Sequence, residues 1–122
     1  MVWIYGGGWT SGSGTWQEYG PGKFIDEDVV MVWRDFYLSF SHLYTQVSFN
    51  YRLGALGWFY LGAESEVEGN QGLHDMVAAL QWVQANIALF GGDPDQVTIF
   101  GESAGSWASS YLSVSPPAAV TM

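Results

Sequence analysis

At 122 residues the chain has room for one domain with a sizeable core and too little for two, and 48% hydrophobic residues place it among folded rather than disordered chains. Three Lys plus Arg against twelve Asp plus Glu set a formal charge of -9, which excludes binding along a nucleic-acid phosphate backbone, a task that needs clustered cations. No run approaches the ~18 consecutive apolar residues of a bilayer span, and the absence of cysteine leaves the redox compartment open.

Met1 to Tyr5 reads as a short buried strand with no basic leader and no small-residue cleavage site, so we expect no signal peptide here and an authentic start further upstream. Gly6 to Gly14 follows as a Gly/Ser/Thr-rich loop interrupted by Trp9. "VVMV" at 29–32, entered through the acids Asp26, Glu27 and Asp28, predicts a second buried strand, and "VSFNY" at 47–51 continues or repeats it. Between them, Trp33 to Gln46 shows neither alternation nor a helical stripe. The apolar positions Leu73, Met76, Val77, Leu80, Val83 and Ile87 predict a helix from Gly72 to Phe90 with Asn70 as its cap, stopped by Gly91-Gly92. Asp93-Pro94-Asp95 then turns the chain into a strand at 97–100, and a small-residue helix runs from Ser103 or Ala104 to about Leu112. Strand, crossover helix, strand, helix is the pattern of a mostly parallel α/β sheet.

Two glycine motifs carry chemistry. Gly101-Glu102-Ser103-Ala104-Gly105 is a G-x-S-x-G pattern between an apolar strand and a helix, the setting in which a sharp turn holds a serine oxygen out at the end of a sheet. Side chains at either glycine would collide with the neighbouring strand or helix, and the Ala104 N–H at the helix start points at whatever Ser103 attacks. The second motif is "YGGGW" at 5–9, where consecutive backbone N–H groups converge as a developing oxyanion requires. A phosphate loop is the rival, but no Gly-Lys-Ser/Thr follows it and the one lysine, Lys23, stands in another context.

"VWIYGGGWTSGS", "NYRLGALG", "GNQGLHD" and "ALQWVQANIALFGGDPDQVTIFGESAGS" resemble, in order and spacing, the type-B carboxylesterase and cholinesterase family of the α/β-hydrolase fold. The resemblance covers nearly the whole chain apart from 33–46, which it marks as a non-family insert. It implies a partial α/β-hydrolase fold, incomplete at both ends, and a serine esterase that cleaves a small carboxylic ester through an acyl-serine intermediate without metal or cofactor. Ser103 is then the nucleophile; Gly7, Gly8 and Ala104 the oxyanion-hole donors; Glu102 an acidic neighbour tuning the site's electrostatics; Trp9 a wall of the substrate pocket. Members of this family are often secreted or membrane-attached. A non-catalytic adhesion relative of the neuroligin kind is the alternative, against which the intact serine motif argues.

A serine needs a base. The family's acid and histidine lie downstream of the serine motif, whereas His42 and His74 both precede Ser103. Neither is a credible base, so the 122 residues alone are expected to be inactive. Arg52 and Asp75 read as structural, a buried arginine needing a carboxylate and Asp75 being one candidate. Glu64, Glu66 and Glu68 read as solvated loop charges.

Overall fold

The computed structural model describes residues 1–15, 29–33, 44–66 and 69–118. Among the described residues four strands form one sheet: β1 (Val2–Ile4), β2 (Val29–Trp33), β3 (Tyr44–Ser48) and β4 (Ile99–Gly101), in the order β2-β3-β1-β4, with each of these pairings parallel. Among the described residues three helices accompany it: α1 (Gly54–Trp58), α2 (Gln71–Asn86) and α3 (Ala104–Ser113). The expected α/β class and parallel sheet are thus observed. α1 has no forewarning in the sequence, because "LGALGW" carries no helical stripe.

α2 follows its apolar spacing. Met76, Leu80, Val83 and Ile87 are buried, while Leu73 and Val77 pack partly buried against the same core. Its start and end sharpen the expectation: the helix runs from Gln71, and a 3₁₀ turn (Ile87–Phe90) completes it before Gly91 at φ 78° turns the chain away. Asn70 occupies the position before the helix, but its backbone is left-handed at φ 57° and its side chain caps nothing. The Asp93 carboxylate accepts from the Asp95 N–H at 2.9 Å, so the expected turn forms. The last strand begins at Ile99 rather than at Val97.

Burial of Val2, Ile4 and Tyr5 on β1 and just after it, with Val47 on β3 and Ala108 and Leu112 on α3, places the core beside the central strands. α3 covers β1 and β4 because its first turn is built of small residues, and that close approach positions the site.

The stretch expected as an insert is bounded by strands. Trp33 closes β2 and Tyr44 to Gln46 open β3, so those four positions belong to the sheet; 34–43, with His42, lie outside the described residues. Val29–Trp33 and Tyr44–Ser48 thus lie side by side as two paired strands. Asp26, Glu27, Asp28, Lys23 and Glu68 also fall outside the described residues, whereas Glu64 and Glu66 are exposed, as solvated charges should be.

Candidate active site

β1 and β4 run parallel in a register that pairs Ile4 with Gly101. Their C-terminal ends therefore lie side by side, and the segments that follow, Tyr5–Gly8 and Glu102–Ala104, emerge at the same edge of the sheet. The C-terminal edge of parallel strands is where open α/β sheets bind their ligands.

Only Glu102 and Ser103 separate the end of β4 from the start of α3. So short a turn needs an unusual backbone. Ser103 takes φ 52° and ψ -119°, a conformation costing a non-glycine residue about 1–3 kcal/mol. Two backbone bonds hold it: the Gly105 N–H donates to the Glu102 carbonyl at 2.8 Å, and the Trp107 N–H donates to the Ser103 carbonyl at 3.1 Å. Ser103 is exposed at the tip of this turn.

The flanking glycines are required by close packing. A Cβ at Gly105 would collide with the Ile4 carbonyl oxygen and stand 2.9 Å from the Tyr5 carbonyl oxygen. At Gly101 it would collide with that same Ile4 oxygen and meet the Gly105 carbonyl oxygen at 2.7 Å. The collision expected from the sequence thus falls on β1 and on the first turn of α3.

On the β1 side, Gly7, Gly8 and Trp9 have φ values of 99°, 61° and 67°. The Gly7 carbonyl accepts from the N–H groups of Thr10 and Ser11, both at 3.1 Å, and from the Ser11 hydroxyl at 3.1 Å. A carbonyl and the following N–H are antiparallel within one peptide plane, so engaging the Gly7 oxygen directs the Gly8 N–H outward. Among the described residues, the N–H groups of Gly7, Gly8 and Ala104 have no hydrogen-bond acceptor. Gly7 and Gly8 are exposed, and Ala104 is buried at the first position of α3.

Gly6, in the sequence only the first of three glycines, joins the two halves. A Cβ there would lie 3.0 Å from Ser103 Cβ and 2.5 Å from Glu102 Oε2. The glycine loop therefore passes directly against the serine turn. The Glu102 carboxylate reaches toward the same loop while remaining exposed.

Trp9 turns into an aromatic cluster, its ring centroid 4.6 Å from Trp58 and 6.3 Å from Tyr51, and is partly buried. His74 stands exposed on the first turn of α2, and among the described residues no hydrogen bond joins it to Ser103. Arg52 and Asp75 do pair, as their reading as structural residues anticipates. Arg52 Nη2 donates to Asp75 Oδ1 at 2.7 Å and Nε to Oδ2 at 2.8 Å, and the Arg52 backbone N–H adds a third bond to Oδ2 at 2.9 Å. The arginine is exposed rather than buried. Hydrogen bonding to Asp75 raises the guanidinium above its ordinary value. Partial burial alone would push the Asp75 carboxyl up, but the bonds from Arg52 outweigh it and hold the carboxyl below the usual range.

Comparison with known proteins places the chain among related sequences and folds. The model of the carboxylesterase family matches residues 1–121. The chain is 48% identical to Cholinesterase 1 of Branchiostoma lanceolatum over 95% of its own length and 28% of that protein's. It is 49% identical to the acetylcholinesterase of Danio rerio over 87% of itself and 14% of that protein. Among solved structures, the juvenile hormone esterase of Manduca sexta, with OTFP covalently attached, superposes with a TM-score of 0.74 at 41% identity, covering 96% of this chain and 19% of that one. The chain thus spans less than a third of the length of these relatives, and its sheet is part of an α/β-hydrolase fold.

Proposed function

The chain belongs to the carboxylesterase family, and from that premise we propose that it carries the nucleophile and the oxyanion donors of a serine esterase acting on a small carboxylic ester. The observation that bears most weight is the backbone of Ser103. An exposed serine held at φ 52° between two glycines that cannot accept a side chain is strain without structural return.

Ser103 Oγ attacks the ester carbonyl while its proton passes to a base, and a bond forms between Oγ and the carbonyl carbon. The carbonyl electron pair moves onto oxygen, where the N–H groups of Gly7, Gly8 and Ala104 stabilise it. Collapse of this intermediate breaks the carbon–oxygen bond to the alcohol, which leaves with a proton, and water then hydrolyses the acyl-serine. Glu102 sets the local field beside the base, and Trp9 with Trp58 forms an apolar wall at the loop's outer end. The base and its acid come from residues beyond these 122, as the chain's short span of its relatives supports. By itself the 122-residue chain is therefore inactive.

Labelling with a fluorophosphonate tests this. The full-length gene product is expected to be labelled at Ser103, and neither its Ser103→Ala variant nor the isolated 122 residues should be. Labelling of the isolated chain would mean that it contains a base after all.

A further inference from the structure

The segment Asn50–Gly54 touches the glycine loop at three points. At the loop's entry the Tyr51 hydroxyl donates to the Tyr5 carbonyl at 2.8 Å, inside the core. Near its exit the Gly54 N–H donates to the Trp9 carbonyl at 2.7 Å. Further on, the Gly14 N–H donates to the Asn50 side-chain oxygen at 2.8 Å. Between these points lie Gly6, Gly7 and Gly8, residues that lack the side chains by which a loop ordinarily anchors itself.

We propose that Tyr51 is a positioning residue for the oxyanion hole, the central member of a brace that holds the glycine loop against Ser103. The Tyr5 carbonyl and the Gly6 N–H belong to one planar peptide, so a bond to that oxygen sets the direction in which the loop leaves β1. The same oxygen faces the first turn of α3, at 2.9 Å from a Cβ placed on Gly105. The Tyr51 hydroxyl thus secures the peptide that leads from β1 into Gly6, the residue whose position lies against Glu102 and Ser103.

Tyr51 is itself held in place. Its ring stacks on Tyr5 with centroids 4.5 Å apart and an interplanar angle of 18°, and both rings are buried. The next residue, Arg52, is bound to Asp75 through its backbone N–H as well as its guanidinium, which ties the segment to α2. The Tyr5 hydroxyl lies 3.4 Å from both the Tyr51 N and O, a longer contact than the 2.8 Å bond from the Tyr51 hydroxyl.

This inference rests on the oxyanion role proposed for Gly7 and Gly8, and the experiment separates the two. In the full-length gene product, Tyr51→Phe keeps the stacked ring and removes only the hydroxyl. We expect kcat on a p-nitrophenyl ester to fall by about 10- to 100-fold with KM within about twofold, because misplacing preorganised donors is felt only in the transition state. Affinity for a trifluoromethyl ketone, whose adduct with serine carries the oxyanion, should fall by about the same factor. Asp75→Asn, which leaves Tyr51 intact and loosens its neighbour, is the second variant should Tyr51→Phe fail to fold; it too should lower kcat rather than raise KM. Wild-type kcat and ketone affinity in a folded Tyr51→Phe, or a rise in KM alone, would overturn the brace. Activity surviving in Ser103→Ala would instead overturn the nucleophile assignment on which it rests.

Discussion

The two sides of the sheet are built differently. Where β1 meets β4, contact is made by backbone on backbone: Gly101, Gly105 and Gly6 leave no space for a side chain, and the peptides after each strand are brought together at one edge. Where β2 meets β3, the register pairs Val29 with Tyr44 and Val32 with Val47, a constant offset of 47 − 32 = 15 residues. There Gln46 is buried at 5% exposure, and among the described residues its Oε1 has no hydrogen-bond partner. The first side is over-determined and spends its rigidity on a strained serine. The second tolerates a polar residue that a central strand normally excludes.

The largest effect that would break this contrast is expected at Gly105. Alanine there pushes a Cβ into the Ile4 carbonyl, a rigid backbone atom, so the variant should lose about 3 kcal/mol or more and fluorophosphonate labelling with it. A fully stable, labelled Gly105→Ala would show that the β1–α3 approach is looser than the structure has it.

On the other side, we propose that residues 33–46 interrupt a single strand, and the register makes that testable. Deleting residues 33–47 joins Val32 to Ser48 and brings Val29 to Val32 into the positions of Tyr44 to Val47, with Met31 taking the place of Gln46. The shortened full-length protein is expected to label normally and melt at a higher temperature; insolubility or loss of labelling would show that β3 needs its own residues. Sequencing of the transcript bears on the same point, since reads crossing both flanks with the intervening codons establish the segment as expressed.

Smaller effects follow. Ser103→Gly should abolish labelling while gaining about 1 kcal/mol in thermal unfolding, because glycine takes φ 52° without strain. Gln46→Met should gain about 1 kcal/mol by removing a buried amide oxygen that has no partner among the described residues, with no change in labelling rate. The smallest effect is at the exposed Arg52–Asp75 pair. Asp75 has a folded-state pKa below its unfolded one, so its stabilisation is present above the unfolded value and is lost as pH falls through the folded value. The stability difference between wild type and Asp75→Asn should therefore shrink on acidification below about pH 4, the ordinary carboxylate range.

The sequence legibly carried the glycine motifs, the long helix and the parallel α/β class, since each rests on local rules: φ values only glycine reaches, a 3.6-residue apolar period, and strands alternating with helices. It offered Asp75 as one candidate partner for Arg52, on the expectation of a buried arginine that the structure places at the surface. It did not reveal α1, whose residues lack a stripe, nor that Tyr44 to Gln46 form a strand beside "VVMV" rather than a loop, because pairing between strands is a choice among distant segments. Gly6 and Tyr51 were hidden for the same reason. A glycine among glycines and a tyrosine in "NYRLG" have no local mark of function, and they acquire one only when Ser103 and the Tyr5 carbonyl arrive against them. Residue chemistry determined what the serine turn and the glycine loop are able to do; the tertiary structure alone decided that they meet, since the meeting depends on the Ile4–Gly101 register and on a hydrogen bond spanning 46 positions of the chain.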